Sequence, residues 1–259
     1  MALKIHLAAN TERARYALQL LFEVVQQIPY QLHPQAMGAD VVYSASAPDV
    51  EAAWLPASGL LSQEGIRPQP TEVSDWEGLP AFFPCPQATP AACLPYDLPA
   101  MVFYLVSRYE EYLPFAGDQH GRFRATESLA FRAGFLRRPL VHEWGIWLGE
   151  RLRGQFPGLP VQRPAYRFRP SYDIDMAWAY RYRPGWLQLA GAGRDLLKNR
   201  PAFQQRLRVW RKQEEDPFDT FAYLDRQHEH FGLNPLYFFL LGRYGAYDKN
   251  TDPRKPALQ

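Results

Sequence analysis

Apolar positions along the first half of the chain fall into short alternating runs and longer helical stripes. Leu3–Ala9 alternates weakly and predicts a first strand. Asn10 or Thr11 then stands as a cap, and Ala14, Leu18, Leu21, Phe22, Val25 and Ile28 recur at the spacing of a one-faced helix running to about Gln27. Ala39–Ser44 is a short β-rich run, so the opening reads as a β-α-β unit, with nothing in it like a phosphate-cradling glycine loop. Residues 45–96 are broken by Pro and small side chains and predict irregular segments with a few short strands. Asp97-Leu98-Pro99 supplies a cap and a first-turn proline to a second helix, with Leu98, Met101, Val102, Leu105, Tyr109 and Tyr112 as its buried stripe. A turn at 117–121, a short helix beginning near Glu127 and a third long helix, Pro139–Arg153, follow. That helix is apolar almost all round (Val141, Trp144, Ile146, Trp147, Leu148, Leu152), which predicts packing between layers. Residues 156–160 read as a linker between a first α/β domain, 1–160, and a second domain, 166–259.

Beyond the linker, a strand over 166–173 ends in Ser171-Tyr172-Asp173-Ile174-Asp175. Helices are expected near 185–198 and 201–213. A further helix opens at Asp216-Pro217-Phe218-Asp219, with Asp216 as its cap, and stops at Gly232. Pro235–Leu241 is uniformly apolar, the pattern of a parallel strand covered on both faces. A single β-α-β unit buries only one face, so this part is expected to be the opening of a larger β/α domain, prone to association through its strand edges. Alternation sets Asp173 and Asp175 on one side of an extended segment. Two carboxylates that close repel unless a cation lies between them or one takes a proton. Spacing alone leaves two readings: a metal or acid/base site, or a strand end whose carboxylates are hydrated.

Composition narrows the partners. The chain has 259 residues, nearly half of them apolar, and a formal net charge of +2, which argues neither for nucleic acid nor for an anionic membrane. Up to residue 97 the only basic groups are Lys4, Arg13, Arg15 and Arg67; from Arg122 onward arginines are frequent but scattered among Trp, Tyr and Pro. Cys85 and Cys93 lack metal-site spacing and are too few for a disulfide framework, so they are expected to be reduced. The opening residues do not form a secretory signal and no apolar run reaches membrane-spanning length, which predicts a cytoplasmic protein that does not enter the membrane.

Several runs taken together resemble a bacterial polysaccharide-deacetylase-like family whose members carry a separate N-terminal domain. They are Phe103–Leu113, Asp118–Phe123 and Pro139–Trp144 in the first half, then Tyr172–Asp175, Asp216–Phe221, Phe238–Leu240 and Tyr247–Asn250. The resemblance implies an N-terminal α/β accessory domain followed by the first βαβ portion of a distorted β/α barrel. It implies a carbohydrate substrate, Asp173 as the general base on a metal-bound water, and Asp175 as a ligand to a zinc-like divalent metal. The family's histidine motif, which completes the metal shell, has no counterpart among His6, His33, His120, His142, His228 and His230. The chain is therefore expected to stop before that motif, to hold no metal by itself, the zinc-like ion belonging to the complete protein, and to be inactive alone. A second reading takes it as a non-catalytic module that binds a glycan or a protein, with the Asp pair as a remnant.

Other conspicuous residues carry plainer expectations. His120 reads as a hydrated turn residue and His142 as core-edge packing. Arg108, Glu110 and Glu111 read as a helix surface or an interdomain ion pair. Trp178 and Tyr180, with Tyr182 and Trp186, make either a sugar-stacking platform or an apolar lining, with packing favoured. Arg206, Arg208 and Arg211 read as a solvated helix face.

Overall fold

The computed structural model describes residues 2–160, 165–183 and 185–240, and the chain divides after residue 164 into two compact units. The first is built on a four-stranded, all-parallel sheet in the order β2-β1-β3-β4, with β1 Leu3–Leu7, β2 Tyr30–Leu32, β3 Val41–Ser44 and β4 Ala53–Pro56. Leu3 and Ile5 are wholly buried and Leu7 nearly so, while Lys4 between them is exposed, the alternation that the sequence carries. The opening β-α-β expectation holds in outline. The helix, however, leads into β2 on one side of β1, and the chain then crosses to β3 on the other.

Thr11 caps α1, Glu12–Leu18, through the amide of Ala14. The predicted single helix then widens into a π-helical segment, Gln19–Val25, closed by Gln26 N–H to Leu21 O at 3.2 Å. The expected stripe is still the buried one, with Leu18, Leu21, Phe22 and Ile28 fully inaccessible. A two-residue turn with positive φ at Glu77 (51°) and Gly78 (80°) joins β5, Ser74–Trp76, to β6, Leu79–Ala81, as a tight hairpin.

Two helices close this core. α2, Leu98–Val106, is capped by Asp97 as expected but is shorter than its predicted stripe; it ends at Ser107, and Tyr112 lies 69% exposed. After the short α3, Leu129–Arg132, comes α4, Leu140–Gln155. α4 is not buried all round: Leu140, Trp144, Gly145, Leu148, Gly149 and Leu152 form one buried face, and Ile146 is 42% exposed. Its Trp144 and Trp147 indoles donate to Pro80 O (3.0 Å) and Glu77 Oε2 (2.9 Å), pinning the hairpin. Gly145 is there because a Cβ would stand 2.4 Å from Val25 Cγ1.

Asp97 is wholly buried. Besides Ala100 N (2.9 Å), it accepts from the Tyr43 hydroxyl (3.0 Å) and from Ser58 N and Oγ (2.6 and 2.9 Å), tying α2 to β3 and the loop after β4. Burial pushes its carboxyl up to about 6 against the pull of those hydrogen bonds. Cys85 and Cys93 are free and buried. Desolvation raises their thiols to about 12 and about 11, Cys85 further through the nearby Asp97 charge.

The second unit contains β7, Ser171–Ile174, paired in parallel with β8, Leu236–Phe239, and three helices between them: α5 Gly185–Lys198, α6 Arg200–Trp210 and α7 Phe221–Phe231. The strand expected from residue 166 begins only at 171, with Tyr166 88% exposed. β8 is not covered on both faces: Leu236, Phe238 and Phe239 are exposed, and among the described residues β7 is the strand it pairs with. α7 ends as expected, with Gly232 left-handed at φ 60° and Leu233 N–H returning to His228 O at 2.8 Å. Among the described residues no helix is long and apolar enough to cross a membrane.

Candidate functional site

Register places Asp173 opposite Phe238. Tyr172 turns to the helical side, where its hydroxyl meets His228 Nε2 of α7 at 2.9 Å and its ring stacks on Tyr237 at 5.2 Å. By alternation Asp173 lies on the other face, exposed. Asp175 sits in the bend just past the strand, also exposed. His228 is buried and already paired with Tyr172, so it does not reach this edge. Among the described residues no three His, Cys, Asp or Glu side chains come together as a metal group. A catalytic zinc normally takes three protein ligands, so the described residues do not by themselves fit one.

The loop that follows is organised by Asp216, which does not cap α7 as expected; Thr220 precedes that helix. Asp216 is 2% exposed, and its carboxylate accepts from the amides of Ala179 (2.8 Å), Tyr180 (2.8 Å), Arg181 (3.0 Å) and Phe218 (3.1 Å). Burial raises its pKa, but these four backbone donors outweigh it and hold the group below the usual carboxylate range. The loop's aromatics are engaged internally. Trp178 is buried, with its indole N–H toward Asp219 Oδ2 at 3.4 Å and its ring edge-on to Tyr182 at 4.5 Å. Tyr180 donates to Gln205 Oε1 (3.2 Å) and carries the Arg206 guanidinium 4.5 Å above its ring. Trp186, by contrast, is 67% exposed.

Of the arginines expected on a solvated face, Arg208 and Arg211 are exposed but Arg206 is not: it is 3% exposed and held by Asp195 Oδ2 at 2.6 Å across the α5–α6 pair. Gly191 makes the room, since a Cβ there would lie 3.0 Å from Arg206 Nη2.

A second candidate lies within the first unit. A groove of about 360 Å³ is lined by Tyr104, Phe123, Phe135 and Leu140, with Arg108, Glu110, Glu111, Arg138 and His142 also contributing. It draws on each of the sequence runs 103–113, 118–123 and 139–144. Arg108 follows the end of α2 in the left-handed region (φ 54°, ψ 44°), a position where glycine is usual. Holding a non-glycine residue there costs of order 1–3 kcal/mol. Glu110, half-buried, accepts from Leu129 N at 2.8 Å and so anchors the start of α3; burial raises its pKa above the carboxylate range. Asp118 folds the next loop by accepting from His120 N (2.8 Å) and Arg122 N (3.0 Å), which leaves His120 exposed at the turn. His142, on the first turn of α4, is exposed; its backbone N–H donates to Pro139 O at 2.9 Å, and its ring makes no hydrogen bond among the described residues.

Sequence reasoning passed over Asp216 and Arg206 as site-shaping groups. Asp216 followed by Pro is also the signature of a helix start, and an arginine among arginines carries no sign that one of them is buried.

No curated protein and no solved structure matches the chain. Residues 3–157, more than half of the sequence, match a family described as a family of unknown function (DUF7033), and the chain belongs to that family.

Proposed function

We propose that the chain is the N-terminal portion of a metal-dependent, polysaccharide deacetylase-like hydrolase acting on an N-acetylated carbohydrate. Asp173 is its general base and Asp175 a ligand to a zinc-like divalent metal. One observation carries the reading: both carboxylates stand exposed at the carboxyl end of a parallel strand pair joined through helices, and no internal hydrogen bond among the described residues engages them. That edge is where ligands sit in layered α/β folds. In this reading β7 and β8 with their helices are the first βαβ portion of a distorted β/α barrel, and the remaining metal ligands lie outside the described residues. The free, buried thiols Cys85 and Cys93 support a reducing, cytoplasmic setting.

Titration of the 259-residue chain with Zn²⁺, alongside an assay for acetate release from an N-acetylated oligosaccharide, tests the proposal. The expected result is at most weak zinc binding, any such binding loosened at least tenfold by Asp175→Ala, with no acetate released. Zinc uptake that ignores Asp175→Ala would sink the metal assignment, and zinc-dependent acetate release would sink the claim that the chain is inactive alone.

A further inference from the structure

We propose that the groove of the first unit is a binding site for a neutral polyhydroxylated ring, such as one residue of an uncharged glycan. The proposal is independent of the Asp173–Asp175 reading, which concerns the other unit. The first argument is size: about 360 Å³ falls within the range of small-ligand sites.

The second argument is charge. Two guanidinium groups and two carboxylates share the lining, so neither sign is in surplus. Their strong pairings are already spent. Arg108 Nε lies 2.5 Å from Glu111 Oε1, Arg138 Nη2 lies 2.5 Å from Glu143 Oε2, and Glu110 Oε1 takes Leu129 N and faces Arg132 at 3.6 Å. An anion would meet neutralised guanidiniums beside two carboxylates, and a cation the reverse. A hydroxyl both donates and accepts, so it can use the remaining guanidinium N–H groups, the second oxygen of Glu110 and the unpartnered His142 ring together.

The third argument is the apolar wall. Phe123 is half-buried against Phe115 (ring centroids 5.1 Å apart, 78°), and Leu136 and Val106 are 49% and 38% exposed on the same lining. These surfaces suit the C–H face of a sugar ring. The fourth is strain: Arg108 is kept in a left-handed conformation that glycine would adopt freely, while its side chain stays 72% exposed. The exposed ion pair with Glu111 is worth little in water, so the backbone strain at Arg108 is set against what its remaining N–H groups offer to a ligand.

Isothermal titration of the 259-residue chain with maltotetraose, cellotetraose and chitotetraose, and with tetragalacturonate as the anionic counterpart, tests the site. Saturable one-to-one binding of at least one neutral tetrasaccharide is expected, with tetragalacturonate no tighter. Arg108→Gly should weaken it at least tenfold while leaving the Tm of the first unit unchanged or higher, and Phe123→Ala, read with circular dichroism, should weaken it comparably. Absence of binding by all three neutral sugars, binding indifferent to Arg108→Gly, or tighter binding of tetragalacturonate would each overturn the proposal.

Discussion

The two units are held together by different means. The first closes over a continuous apolar core in which Trp144, Phe22, Phe82 and several Leu and Ile side chains are under 2% exposed. Among its described residues the second buries few apolar side chains, chiefly Trp178, Val209 and three alanines, and adds Asp195, Arg206, Asp216 and His228 to its interior. Hydrophobic burial is non-directional and tolerant, whereas a buried charge is stabilising only while its partner stays in place. The buried aspartates make the same contrast in miniature. Asp97 is shifted up because desolvation wins over its hydrogen bonds, and Asp216 is shifted down because four peptide N–H groups win over desolvation.

The contrast is broken most severely at Arg206. Replacing Asp195 by Asn leaves a buried guanidinium without its counter-charge and should cost the second unit about 3–5 kcal/mol. The double replacement Asp195→Leu with Arg206→Met should recover most of that loss. Hydrogen exchange resolved by unit is the measurement, and equal losses in the single and double variants would show that the ion pair is not what organises α5 and α6.

Acidity separates the units next. Asp97 is raised from 3.8 to about 6, so the folded form binds a proton more tightly than the unfolded chain. Its contribution to stability is fully present below the unfolded pKa and is lost as pH rises through about 6, up to about 3 kcal/mol in all. The first unit should therefore resist urea better at pH 4.5 than at pH 7, and Asp97→Asn should flatten that profile. Asp216 works in the opposite sense: its contribution is present above the unfolded pKa and lost on acidification through the lowered folded value. A first unit that is equally stable at the two pH values would refute the Asp97 argument.

The smallest effect compares two helical glycines. Gly145→Ala drives a methyl against Val25 and should destabilise the first unit by about 1–3 kcal/mol, relieved in part by Val25→Ala. Gly193, on exposed α5 with no atom within 4 Å of a Cβ, should instead gain about 0.5–1 kcal/mol on replacement by Ala. Thermal denaturation distinguishes the signs.

What the sequence disclosed follows from how local each determinant is. Thr11 and Asp97 act on amides three residues away, and Gly232 closes its own helix, so these boundaries were readable. The stripe from Ala14 to Ile28 was readable too, although not the π-helical winding that carries part of it, because that depends on what packs against the turn. Asp216 reaches back to Ala179–Arg181 and Arg206 to Asp195, partners that only tertiary structure supplies. The same holds for the sites. Alternation put Asp173 and Asp175 at a strand end, whereas three runs conspicuous as words in the sequence become a groove only once α2, α3 and α4 are packed.

Both thiols of the chain lie in the first unit, buried, with pKa values near 12 and 11. At neutral pH they present almost no thiolate and no access to a reagent. The second unit has no cysteine at all. Alkylation of this protein is thus a clock wound by one unit alone: each modification event dates an opening of the first unit, and the second can fray or refold without advancing it.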